Sequence, residues 1–212
     1  MTEYRMVLAR AAGDAGERIG AARPAHLALV EPMAAAGELV LGVPLLDASG
    51  AYAGSLMLVT PAAAERYLEA EPFRREGVWR DWSVHPFRLA PLDYRPLPRG
   101  PAPAVPSHTV VIAWDGRDAA APDRRLAVRE AHFGRARAAA SAGIITLGGA
   151  LLESPGGRMI GSLAITAHPD VAVARAWWAA DPYVTGGVWQ EIAWHATRFA
   201  PLPYRPLLGA AA

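Results

Sequence analysis

The chain contains nearly the same sentence twice, and that duplication limits its folds more than anything else in it. "RPAHLALVEPMAAAGELVLGVPLL" (Arg23 to Leu46) matches "REAHFGRARAAASAGIITLGGALL" (Arg129 to Leu152) at a shift of 132 − 26 = 106. "AGSLMLV" matches "IGSLAIT" at 162 − 55 = 107, and "EPFRREGVWRDWSVH" matches "DPYVTGGVWQEIAWH" at 181 − 71 = 110. The tails "RLAPLDYRPL" and "RFAPLPYRPL" keep the last shift. Ordered matches in periodic segments, with small length changes between them, are the signature of a repeated structural unit. The expected units are residues 1–97 and 108–212. The Pro-rich "PRGPAPAVPS", residues 98–107, joins them and at about 3.1 Å per residue reaches roughly 30 Å.

Within each copy the pattern reads β-α-β-β-α-β. "YRMVLAR" and "HTVVIAW" are expected first strands. Helices follow over "PAHLALVEPMAAAG" and "RLAVREAHFGRARAAASAG", each ending at a Gly suited to a helix C-terminus. "ELVLGV", "GSLMLVT" and their counterparts "IITLGG" and "GSLAITA" are short apolar strands. "PAAAERYLEA" and "PDVAVARAWWAA" are second helices opened by Pro. "GVWRDWSVHPF" and "GVWQEIAWHAT" close each copy as strands. Period-2 alternation puts Trp79, Asp81, Ser83 and His85 on one face, matched by Trp189, Glu191, Ala193 and His195. A ferredoxin-like half of this kind leaves one sheet face bare, so the two halves are expected to cover each other, sheet to sheet, in an α+β architecture.

Composition removes several chemistries. All 21 basic residues are Arg, which excludes Schiff-base and phosphate-loop lysines. With Cys absent there are no thiol nucleophiles, thiolate metal sites or disulfides. A formal net charge of +1 offers no electrostatic footprint for nucleic acid. No apolar run reaches the roughly 20 residues of a membrane helix, and "MTEYRMVLAR" lacks the apolar core of a leader, so a cytoplasmic location is expected. No HxH, HExxH or related spacing supports a metal, and no nucleotide fingerprint or nucleophile elbow is present.

"RPAHL", the paired glycines Gly37/Gly42 and Gly143/Gly148, the "GS" before a strand, and "DPY" followed by "GV" together resemble the YCII-related domain family, over nearly all of both halves. The resemblance implies a dimeric α+β barrel, here built within one chain. It also implies cofactor-independent small-molecule enzymes, among them a dehydrochlorinase of hydroxylated aromatics. Its implied catalytic pair, the helix His with the Asp of DPY, falls on His132 and Asp181. In the first half it falls on His26, with Glu71 at the acid position.

Arg129 and His132, like Arg23 and His26, are three apart on an expected helix and share a face. A neutral His can take a proton near pH 7, a carboxylate on its far nitrogen would fix the tautomer, and Arg129 would steady a developing enolate or phenolate. Ser162, with its counterpart Ser55, is a candidate hydrogen-bond donor to substrate, and Tyr183 and Trp189 are candidate pocket walls. The plainer reading is a His packed at a helix–sheet junction, with Trp in the core. Because Glu is one methylene longer than Asp, Glu71 is expected to displace His26 or hold it more loosely, leaving one working pocket in the second half; a second pocket with a different ligand is the other possibility. The functional expectation is His/Asp acid–base chemistry (elimination, isomerisation or cyclisation) on an oxygenated cyclic or aromatic compound. The alternative is a non-catalytic binding or scaffold protein. No cofactor is expected, the partner is a small molecule, and the assembly is a monomeric pseudo-dimer or a homodimer.

Overall fold

The computed structural model describes residues 2–207; residue 1 and residues 208–212, the outer ends of the two expected units, lie outside the described residues. The first half runs β1 (Glu3–Ala11), α1 (Ala15–Ala36), β2 (Leu39–Leu46), β3 (Tyr52–Val59), α2 (Ala64–Ala70), α3 (Pro72–Arg75) and β4 (Trp79–Leu89). The second repeats it as β5 (His108–Asp115), α4 (Ala121–Ser141), β6 (Ile145–Leu152), β7 (Met159–Thr166), α5 (Val171–Trp178), α6 (Pro182–Thr185) and β8 (Trp189–Thr197). The eight strands close in the order β1-β3-β2-β8-β5-β7-β6-β4, so two ferredoxin-like sheets become one antiparallel barrel. The seams are short: Leu46 opposite Ala196 on one side, and Phe87 to Leu89 opposite Leu151 to Gly149 on the other. Among the described residues no helix is long and apolar enough to cross a membrane.

The "GS" motif has a steric cause. A Cβ on Gly54 would sit 2.0 Å from the Ala9 carbonyl oxygen, and one on Gly161 2.4 Å from that of Ala113. Only glycine lets β3 and β7 approach β1 and β5 this closely.

The paired glycines are divided between two tasks. Gly37 and Gly143, both at φ 78°, end the long helices in the left-handed conformation. Gly42 and Gly148 receive the other half's tail. The Tyr94 hydroxyl donates to the Gly148 carbonyl at 2.7 Å, and the Tyr204 hydroxyl to that of Gly42 at 2.8 Å. Next to them, Arg95 donates to the Ser141 carbonyl and Arg205 to that of Ala35, at the ends of α4 and α1. The repeated "PLxYRPL" is therefore a reciprocal clasp, each half laying its tail across its twin.

Two expectations need correction. The helix of the first half does not open at Pro24 but at Ala15, nine residues earlier (24 − 15 = 9), with Pro24 and Pro32 inside it. Both prolines lie on the exposed side, where the carbonyl each leaves unbonded can meet water. The closing strands do not keep one phase. Asp81 pairs with Arg10 but Trp79 with Ala11, and Glu191 pairs with Trp114 but Trp189 with Asp115. The extra residue, Arg80 or Gln190, is a β-bulge that turns the Trp onto the opposite face from the residues after it. Trp79 and Trp189 thus face the helices. His85 faces the barrel interior, where its ring meets Trp114 of the other half at 5.0 Å.

Candidate functional site

The acids at the heads of "EPF" and "DPY" sit where a second helix ends and a one-turn helix begins. Asp181 caps α6 by accepting the Tyr183 N–H at 2.9 Å, with Pro182 opening the turn. The same carboxylate oxygen lies 2.8 Å from His132 Nδ1 on α4. Asp181 is 1% exposed, and in so buried a place a carboxylate must be hydrogen-bonded. Donation from Nδ1 leaves Nε2 as the lone-pair nitrogen, the tautomer of a general base. His132 is clamped by Tyr183, stacked 3.6 Å away, and by Trp189, edge-on at 5.9 Å. Arg135 adds a cation 3.5 Å from the other Asp181 oxygen.

The first half repeats the dyad without loosening it. His26 Nδ1 is 2.8 Å from Glu71 Oε1, which also accepts the Phe73 N–H at 3.0 Å. His26 stacks on Phe73 at 4.1 Å. The expectation that Glu would displace the imidazole or hold it more loosely fails, since the hydrogen-bond length is the same in both halves. In both halves the acid's second oxygen, Glu71 Oε2 or Asp181 Oδ2, is buried without a hydrogen-bond partner. Burial, then the Glu71 charge, push the nearby Tyr67 phenol well above its usual range.

Beside the second-half dyad a cavity of about 300 Å³ lies between α4 and the sheet. Its walls bring together His132, Arg129, Ser162, Tyr183 and Trp189, all expected from the sequence, and the first half's Arg88–Leu92 closes it. Arg129 is half-exposed at the rim, its nearest acid being Glu130 at 3.9 Å. Arg23, its counterpart, is exposed and makes no ion pair or hydrogen bond among the described residues.

Sequence reading missed Arg125 and Asp115. Arg125 NH1 donates to both Asp115 oxygens at 2.9 and 2.8 Å, and NH2 to Ser162 Oγ at 3.2 Å. Its guanidinium lies 4.6 Å from the Tyr183 ring centre. Burial raises the Asp115 carboxyl pKa, and Arg125 opposes the rise. Burial likewise raises the Tyr183 phenol. Helical spacing carried the signal for Arg125, since residues 125, 129 and 132 share one face.

The first half also has Tyr52, which the sequence did not single out. Its hydroxyl is 2.7 Å from Ser55 Oγ and accepts from Trp79 Nε1 at 2.8 Å. Burial pushes this phenol up to about 12. Among the described residues no three His, Asp or Glu side chains cluster as a metal site.

Residues 4–88 and 108–194 each match the family model of the YCII-related domain. No curated protein matches the chain. Among solved structures, a heme-binding protein from Thermus thermophilus is 14% identical over 93% of this chain and 92% of its own, with a TM-score of 0.58. A mutant chlorite dismutase from Candidatus Nitrospira defluvii is 12% identical over 95% and 92%, with a TM-score of 0.57. A 5-chloro-2-hydroxyhydroquinone dehydrochlorinase from Burkholderia phenoliruptrix, in complex with 2,5-dihydroxybenzoquinone, is 17% identical over 42% and 90%, with a TM-score of 0.37. The two full-length likenesses show a shared fold of fused α+β halves closed as a barrel.

Proposed function

This chain belongs to the YCII-related domain family in both of its halves, and from that premise we propose that it acts on a small oxygenated cyclic or aromatic compound by acid–base chemistry at His132. One observation carries the reading: His132, held at 2.8 Å from the buried Asp181 carboxylate, lines an apolar cavity of about 300 Å³. That volume is at the small end of the range for small-molecule sites. It suits a compound of one or two rings and is too small for a four-pyrrole macrocycle, so the heme of the Thermus relative has no counterpart in the proposal.

In the proposed reaction, His132 Nε2 takes a proton from an acidic carbon or hydroxyl of the ligand. The imidazolium that forms is stabilised by Asp181 and is ready to return the proton to a leaving group or another atom. Arg129, at the rim, faces charge developing on a ligand oxygen. Elimination, isomerisation and cyclisation all begin this way and need no cofactor. The second reading is a binding or scaffold protein. It is favoured by the His26–Glu71 pair, which keeps the dyad's geometry in the half that lacks the counterparts of Arg125 and Asp115.

Turnover of a panel of phenolic and quinone-like compounds decides between the two. His132→Ala, checked for native circular dichroism, is expected to lose on the order of 10²-fold or more, the usual worth of a positioned acid–base. His26→Ala is expected to stay close to native. Equal losses from both would contradict a single working pocket. Binding without turnover by the native protein would establish the second reading.

A further inference from the structure

The duplication supplies an internal comparison that bears on what the cavity holds. Register fixes the equivalences: Tyr52 lies opposite Leu46 on β3, and Met159 opposite Leu152 on β7. Ser55 and Ser162 occupy the same strand position, as do Trp79 and Trp189 after their bulges. Ala11 stands where Asp115 does, and Ile19, at 125 − 106 = 19, stands where Arg125 does. The helices that carry Ile19 and Arg125 begin at matched residues, Ala15 and Ala121.

In the first half, then, a serine hydroxyl and an indole N–H hold a phenol oxygen at 2.7 and 2.8 Å, and that phenol belongs to the protein. In the second half the phenol is replaced by Met159, a flexible wall residue. Without the phenol, Trp189 Nε1 reaches Ser162 Oγ only at 3.3 Å, and Arg125 NH2 reaches the same oxygen at 3.2 Å. Arg125 Nε is buried without any partner. These are donors in a buried, apolar setting with one serine oxygen shared between them, and a cavity opens beside them.

We infer that Tyr52 is a built-in occupant of the first half's site, and that Ser162, Trp189 and Arg125 form the equivalent subsite of the second half, which takes an aryl oxygen of the ligand. Arg125, which has no polar counterpart in the first half and is itself paired with Asp115, adds a guanidinium N–H donor to that subsite, suited to a phenol or quinone oxygen. Arg125 and Trp189 are specificity residues in this scheme, and Tyr52 is a plug. The inference rests on the proposed ligand class but not on the proton-transfer step.

The test is a titration of the full chain with 4-methylphenol, the tyrosine side chain freed from its backbone, read by calorimetry for stoichiometry. The native protein is expected to bind one molecule per chain. Tyr52→Ala is expected to bind two, and Tyr52→Met, which copies the other half's residue, serves if the alanine variant does not fold. Trp189→Phe is expected to weaken native binding about tenfold, while Trp79→Phe leaves it unchanged. Zero or two molecules bound by the native chain would overturn the inference. So would a stoichiometry of one in both Tyr52 variants, or equal effects from the two Trp changes. The probe has no leaving group for His132 to act on. A failed titration alongside His132-dependent turnover therefore sinks the subsite alone, and a successful titration without turnover sinks the acid–base reading alone.

Discussion

At the scale of single residues, the Asp-to-Glu change is not what distinguishes the halves. Both acids cap a one-turn helix and hold a histidine at 2.8 Å. The distinction lies in Tyr52 against Met159 and Ile19 against Arg125, positions where nothing in the repeated motifs draws the eye. The His–acid pair was legible because each half writes it. Tyr52 was not, because its role depends on strand register and a bulge that bring residues 52, 55 and 79 together. Another residue carries a pH prediction. Burial depresses the His108 imidazole to about 4 from an ordinary 6.5, and its Nδ1 lies 2.8 Å from Ser107 Oγ. The unfolded chain therefore binds a proton between those values that the folded chain refuses, and stability is lost as pH falls from 6.5 toward 4. The loss attributable to this group is at most about 3 kcal/mol, at 1.36 kcal/mol per pK unit. Urea unfolding of His108→Phe at pH 7 and pH 4.5 should show a smaller difference than the native protein does. An equal difference would remove His108 from the account.

At the scale of elements, most of the fold was readable because it was written twice. Strand and helix order followed from period and from Gly and Pro punctuation. What escaped was local: the start of α1, hidden by interior prolines that an exposed face tolerates, and the bulges at Arg80 and Gln190, which reverse the phase of the closing strands. The repeated tails were visible as sequence, but their role as clasps was not, since each contact spans the two halves. Tyr94, 1% exposed, gives its hydroxyl to Gly148, and the segment just before it, Arg88–Leu92, closes the second-half cavity. Tyr94→Phe is expected to cost about 1–2 kcal/mol, the worth of a buried hydrogen bond with one partner removed, and to weaken ligand binding as the cavity wall loosens. Tyr204→Phe should cost a similar amount of stability and leave binding unaffected. Thermal unfolding and calorimetry on both variants check this, and an equal effect on binding would contradict it.

At the scale of the molecule, the two halves form one barrel whose second-half pocket cannot be completed without the first. Duplication lets one copy give up its ligand space: in the proposal Tyr52 fills the first half's subsite, while the second keeps the cavity, the dyad and the added Arg125–Asp115 pair. The central claim is thus an asymmetry between two sites of the same design, and the two equivalent indoles report on it within one sample. Trp79 and Trp189 each present an Nε1–H at the oxygen subsite of their own half. In an ¹H–¹⁵N spectrum titrated with 4-methylphenol, the Trp189 indole resonance should move and the Trp79 resonance should not. Movement of Trp79 in step with Trp189, or of neither, would contradict the account.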